Sequence, residues 1–275
     1  PFHNGHAWQL AQAKALGAER VAVAMSCSLV QRGALPLLPE AVRTRSALTC
    51  GADLVFALPA PCACAGAEAF ARAGVALLAA AGCDGLVFGA ETPDAALLME
   101  AAELLDSGSY RAALKAQLAG GARSFAAARQ AAAAQLASDE RVAALLDKPN
   151  NNLAVEYCRA IRSLAPRMEA YPLPRQGANH GEALHSAHGQ FASASALRKL
   201  WAEGGADAVA PYVPEAVFPL YQEAYAAGQY TDFSAAGRCE LALLRSACRG
   251  KAPFADIRGV SEGLEHRLEA AVRTS

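Results

Sequence analysis

RVAVAM, DLVFALP and DGLVFG recur within the first ninety residues, and a stretch of helical spacing separates each from the next. This alternation constrains the fold more than any other feature. Short apolar runs rich in β-branched residues suit strands buried on both faces. Strands separated by helices build a parallel sheet with crossover connections. The spacing predicts a helix over 5–16 stopped by Gly17, a strand over 20–25, and a helix over 39–50 with Pro39 in its first turn and Gly51 past its end. A strand over 53–59, a helix over 67–81 stopped by Gly82 and a strand over 84–89 complete the series. The first of these helices has no strand before it. A strand is therefore expected upstream of Pro1, so that the first strand of the sheet is missing from this chain.

Beyond residue 92 the pattern changes. Residues 92–165 are alanine-rich with helical spacing and read as a helical insertion, a candidate lid. RMEAYPLPR at 167–175 reads as one more strand. Residues 176–192 are polar, carry His180, His185 and His188, and read as a loop in which the histidines face solvent. A helix with serine at its start covers 193–203, and the remainder is helical with proline breaks. The expected class is α/β, with a Rossmann-like parallel-sheet core, a helical insertion and a C-terminal helical region. The expected domains are a nucleotide-binding unit over 1–200 and a helical region over 201–275.

Composition narrows the partners. The net charge of −1 gives no global basic field, so a polyanion would have to meet a local patch. Eight cysteines are scattered without a CxxC pair, which predicts reduced thiols and a cytoplasmic location. No run of about 18 clean apolar residues occurs, and no membrane span is expected.

The chemistry concentrates in PFHNGH, residues 1–6. A metal reading of His3 and His6 needs further ligands at set spacing, and none stands nearby. Two satisfied surface histidines at a turn are a second reading. In the third, Gly5 and His6 begin a helix behind a strand-to-helix turn. The helix N-terminus then offers N–H groups and its positive dipole end to an anion, and the two imidazoles donate to phosphate oxygens. Ser193 and Ser195, with Arg198 one turn on, form a similar helix start.

His3-Asn4-Gly5-His6 matches the HxGH signature of the nucleotidyltransferase superfamily. More widely, the chain resembles the bacterial tRNA(Met) cytidine acetate ligases. The resemblance rests on PFHNGH at 1–6, MSCSLVQRG at 25–33, FGAE at 88–91, KPNNNLAVEY at 148–157 and SASALR at 193–198, with PRQGANH at 174–180 and SEGLEHR at 261–267. The chain has Cys27-Ser28-Leu29 where that family usually has Gly-Asn-Phe.

The resemblance implies a nucleotidyltransferase core. It also implies an ATP-dependent ligase that forms acetyl-adenylate and acetylates N4 of the wobble cytidine of elongator tRNA(Met). It places ATP on Pro1, Phe2, His3, Asn4, Gly5, His6 and Ala7, with Gly89, Asn150 and Arg175 as further contacts. Ser193, Ser195 and Arg198 resemble a late phosphate motif. His3 and His6 would be the catalytic pair, and Ser26, Gln31 and Arg32 would lie toward the acid substrate. Mg2+ would bridge the phosphates, with no metal held by the protein itself. The expected partners are acetate and tRNA. Two other readings stay open: a nucleotidyltransferase acting on another small acid or phosphate, and a nucleotide- or RNA-binding protein without catalysis.

Overall fold

The computed structural model of the chain describes residues 1–275 except 32, 122–123, 176–183, 187–188, 249–253, 255–256, 258–259, 261–262 and 275; of 184–186, 189 and 190 it describes the backbone alone. Arg32, His180 and His188 thus lie outside the described residues, as does the side chain of His185.

The elements alternate as the apolar runs predict. They are α1 (Asn4–Ala15), β1 (Ala22–Ser26), α2 (Glu40–Thr49), β2 (Leu54–Leu58), a single turn α3 (Ala60–Ala63), α4 (Ala67–Ala80) and β3 (Gly85–Ala90). Gly17, Gly51 and Gly82 follow three of the helices at φ of 100°, 101° and 84°, where a side chain would be strained. Pro39 is the N-cap of α2 and not a residue of its first turn.

Five helices follow: α5 (Ala95–Asp106), α6 (Gly108–Ala119), α7 (Phe125–Leu136), α8 (Glu140–Leu145) and α9 (Pro149–Leu164). Asp94, Ser107, Ser124 and Asp139 cap the first four through side-chain oxygens, which explains how an alanine-rich stretch breaks into discrete helices. β4 (Glu169–Pro174) then closes the alternation.

β1 pairs with β2 in parallel, Ala22 opposite Leu54 and Ser26 opposite Leu58. β3 pairs with β4 in parallel, Gly85 opposite Glu169 and Ala90 opposite Pro174. The two pairs share both of their faces. Ala22, Ala24, Phe56, Leu86, Phe88 and Ala170 pack into one core; Val23, Val55 and Val87 pack into the other. Successive strand residues point to opposite faces, so the strands form a middle layer between two helical layers. α4, α5, α7, α8 and α9 build the first core. α1, α2 and three later elements build the second: α10 (Ala194–Gly204), a 3-10 turn over Asp207–Tyr212 and α11 (Phe218–Ala226).

Three expectations change here. The segment over 92–165 does not stand off as a lid: it is the crossover from β3 to β4, and Ala154, Val155, Cys158 and Ile161 of α9 sit buried in the sheet's own core. Part of the polar loop over 176–192 is an antiparallel pair, β5 (Leu184–Ser186) with β6 (Gly189–Phe191). The first compact unit runs from Pro1 to Gln229, past the boundary expected at 200, because Trp201, Val209, Val217 and Tyr221 complete its second core. The second unit, Tyr230–Ser275, holds α12 (Phe233–Ala247) and α13 (Leu264–Thr274), joined where Arg245 Nε donates to the Val272 carbonyl. Among the described residues no helix is long and apolar enough to cross a membrane.

Candidate nucleotide site

Parallel strands bring their C-terminal ends to one edge, and in open α/β sheets that edge faces the ligand. Here it carries Ser26 at the end of β1, Gly89 and Glu91 at the end of β3, and Arg175 just past β4.

α1 is fixed beside β3 by Gln9, whose Nε2 donates to the Val87 carbonyl at 3.0 Å. Its first turn is built by the two histidines. His3 is the N-cap, and its Nδ1 accepts the Gly5 N–H at 3.1 Å. His6 reaches back, and its Nδ1 accepts the His3 N–H at 3.3 Å. This is a capping box made from two imidazoles instead of a hydroxyl and a carboxylate. The rings stack with centroids 3.9 Å apart.

The box fixes the chemistry of both rings. Burial pushes the His3 pKa well below its ordinary value, and His6 and Arg175 act in the same direction. His6 keeps an exposed edge, yet crowding by protein lowers it to about 4, again with help from Arg175. Both rings are therefore neutral near pH 7. Since each Nδ1 accepts a backbone N–H, each proton resides on Nε2. The pair thus presents two Nε2–H donors.

This refines the expected use of the helix N-terminus. The Gly5 N–H is taken by His3 Nδ1, and the His6 and Ala7 N–H groups both go to the His3 carbonyl. Ring donors therefore stand where free backbone donors were expected. Gly5 is needed for a different reason as well: a Cβ there would lie 3.0 Å from the His3 ring.

The flanking motif residues divide between anchoring and lining. Asn4 is buried, and its Nδ2 donates to the Pro211 carbonyl at 3.2 Å. Phe2 is buried in the second core, and its carbonyl accepts the Tyr221 hydroxyl at 2.6 Å. Ala7 packs against the same core, and Pro1 is half-buried beside Phe2 in sequence. Asn4 and Phe2 therefore hold the loop, while His3 and His6 present donors.

A second group gathers at the ends of β3 and β4. The Arg175 stem passes over Gly89, whose missing Cβ would sit 3.4 Å from Arg175 Cγ. Arg175 donates to Asn150 Oδ1, and Asn150 Nδ2 donates to Glu91. Glu91 also accepts the backbone N–H groups of Asn150 at 3.3 Å and Asn151 at 2.6 Å. Asn151, 1% exposed, bonds Thr92 twice, accepting its N–H at 2.9 Å and donating to Oγ1 at 3.1 Å. The structure thus brings together Gly89, Asn150 and Arg175, which the sequence placed in three separate motifs. Glu91 joins them. It stood in FGAE, but its spacing alone carried no sign of its partners.

Ser193 caps α10, its Oγ accepting the Ala196 N–H at 3.2 Å, while Ser195 lies exposed in the first turn. Ser26 offers its carbonyl to Arg43 Nη1 at 2.6 Å, and Gln31 sits half-buried in the turn that follows β1. Arg43 was not foreseen. It is buried, and it also donates to the carbonyls of Leu38, at 3.0 Å, and of Cys27. The segment after β1 is thereby pinned at both ends by one guanidinium. Cys27 points inward, 7% exposed, with Sγ donating to the Met25 carbonyl at 3.3 Å. Burial raises its pKa, so it remains a thiol.

Known proteins resemble this chain in sequence and fold. A family model described as HIGH nucleotidyl transferase matches residues 1–275. The chain is 37% identical to a tRNA(Met) cytidine acetate ligase of Syntrophotalea carbinolica over 278 residues, covering 100% of this chain and 65% of that protein. It is 33% identical to the protein of that description from Caldanaerobacter subterraneus, covering 98% of this chain and 67% of the relative. The crystal structure of apo Thermotoga maritima TmcAL superposes with a TM-score of 0.88 at 30% identity, over 100% of this chain and 66% of that one. The same protein bound with alpha-thio ATP gives 0.85 at 29% identity, over 100% and 65%. The chain spans about two-thirds of the length of these relatives.

Proposed function

This chain belongs to the tRNA(Met) cytidine acetate ligase family of HIGH nucleotidyl transferases, and on that premise we propose that it activates acetate with ATP and acetylates N4 of the wobble cytidine of elongator tRNA(Met) in the cytoplasm. The observation that carries the reading is the pair of neutral imidazoles whose Nε2–H donors stand side by side at the start of α1.

Magnesium would come with ATP and would offset charge on its phosphates, as suits a hard, hydrated cation. The acetate oxygen attacks the α-phosphorus in line. The bond to the bridging oxygen breaks, pyrophosphate leaves and acetyl-adenylate forms. His3 and His6 donate to the oxygens that gain charge as this happens. Being neutral, they give hydrogen bonds without giving up protons. Arg175 and Asn150 hold the nucleotide above Gly89, and Ser193, Ser195 and Arg198 supply further donors at the start of α10. Acetate is assigned to Ser26 and Gln31 at and after the end of β1, and Arg32 joins them on the family resemblance alone. In the second step the cytidine N4 amine attacks the acetyl carbon, AMP leaves with the bonding electron pair and N4 loses a proton. No side-chain nucleophile is needed: the rate comes from positioning and charge stabilisation.

The test is to incubate the protein with tRNA(Met), ATP, magnesium and acetate, digest the RNA to nucleosides and look for N4-acetylcytidine by mass spectrometry. Its formation only when both ATP and acetate are present is the expected result. Pyrophosphate release without N4-acetylcytidine would favour a nucleotidyltransferase acting on another acid.

A further inference from the structure

We propose that Glu91 is a positioning residue for the nucleotide: it orients Asn150 and, through it, Arg175, without meeting ATP itself. The inference rests on the reading above, in which Asn150 and Arg175 hold ATP.

The argument is one of donors and acceptors. A primary amide has one acceptor end and one donor end, and rotating it by half a turn exchanges them. The Glu91 carboxylate only accepts, so Asn150 must turn Nδ2 toward it. Oδ1 is then forced to the opposite side, where it accepts from Arg175. With Asn150 reversed, its amide nitrogen would face a guanidinium, two donors would oppose each other and Arg175 would lose its hold. Glu91 is itself held by the Asn150 and Asn151 N–H groups at the first turn of α9, so it cannot swing away to satisfy another partner. An acceptor-only group on a rigid strand end thus determines the direction of an amide 59 residues away. That amide in turn keeps the Arg175 stem over Gly89.

The same bonds fill the anion-binding end of α9. A helix N-terminus attracts phosphate through free N–H groups and its dipole. At α9 two of those N–H groups are spent on Glu91. As at α1, where the first-turn N–H groups are also spent, the triphosphate is left to side-chain donors, and Arg175 is kept for the nucleotide instead of pairing directly with the carboxylate.

The experiment measures ATP affinity calorimetrically, with neither acetate nor tRNA, for the wild type, Glu91→Gln, Arg175→Ala and the double variant. Glu91→Gln keeps the side-chain shape but puts an NH2 where only acceptors fit. It should weaken ATP binding about tenfold, equal to about 1.4 kcal/mol. In the Arg175→Ala background the same change should cost less affinity than it does in the wild type, because the part of its route that runs through Arg175 is already cut. Glu91→Asp, which keeps the charge, should recover part of the loss. Thr92→Val removes a bond at the same end of α9 and should lower thermal stability without changing ATP affinity. Wild-type affinity in Glu91→Gln, or an equal loss with and without Arg175, would overturn the proposal while leaving the nucleotide site standing. A wild type that binds no ATP would overturn both.

Discussion

The two histidines that begin α1 act on each other before they act on anything else. Each ring spends Nδ1 on a backbone N–H of the same turn, and that fixes the tautomer. Their spacing was legible in the sequence, because a capping box is local and sets its members three positions apart. Its electrostatic consequence was not, since neutrality comes from burial and from Arg175, which is distant in sequence. A pH dependence follows. His6 titrates near 6.5 in an unfolded chain and near 4 in the folded one. The unfolded chain binds the proton first, so the contribution of the neutral ring is complete above pH 6.5 and is lost as pH falls toward 4. Urea midpoints should fall between pH 7 and 4.5, and fall less in His6→Asn. Gly5→Ala tests the same turn: with a Cβ 3.0 Å from the His3 ring, the ring must shift, and adenylation should drop at least tenfold at a stability cost of about 1 kcal/mol.

At the scale of elements, strands and their neighbouring helices were legible wherever apolar periodicity was clean, as in β1, β2, β3 and β4. The hairpin of β5 and β6 was not, because each strand has three residues and its segment is polar, glycine-containing and without an apolar run. Arg43 was invisible for another reason. It reads as an ordinary polar position of a helix, and its partners, the Ser26, Cys27 and Leu38 carbonyls, leave no mark in the sequence because every residue has a carbonyl. Arg43→Met should fill much the same space while leaving these carbonyls without their donor. We predict destabilisation by about 3 kcal/mol, read from the urea midpoint. Arg43→Lys should recover only part of this, since one ammonium cannot match the spread of a guanidinium.

Across the first unit, both helical layers rest on the same four strands, and the loop that begins α1 is held from the far end of the sequence. Tyr221 is fully buried and donates to the Phe2 carbonyl, 219 residues earlier. Such closure cannot be read from local pattern, which is why the boundary expected near 200 falls short of Gln229. Tyr221→Phe should cost about 1–2 kcal/mol, by leaving a buried carbonyl unpaired, and should also lower adenylation by loosening the turn that carries His3. Thermal unfolding and activity measured on the same variant would check both effects. If this edge of the sheet joins a carboxylate to the α-phosphate of ATP, an acyl-adenylate must form on the protein before any tRNA is added. The most direct measurement is to incubate the protein with ATP, magnesium and isotope-labelled acetate, without tRNA, and to look for acetyl-AMP by mass spectrometry. Labelled acetyl-AMP with pyrophosphate, both abolished in His6→Ala, is the expected result; ATP bound at the site with no acetyl-AMP formed would contradict this chemistry.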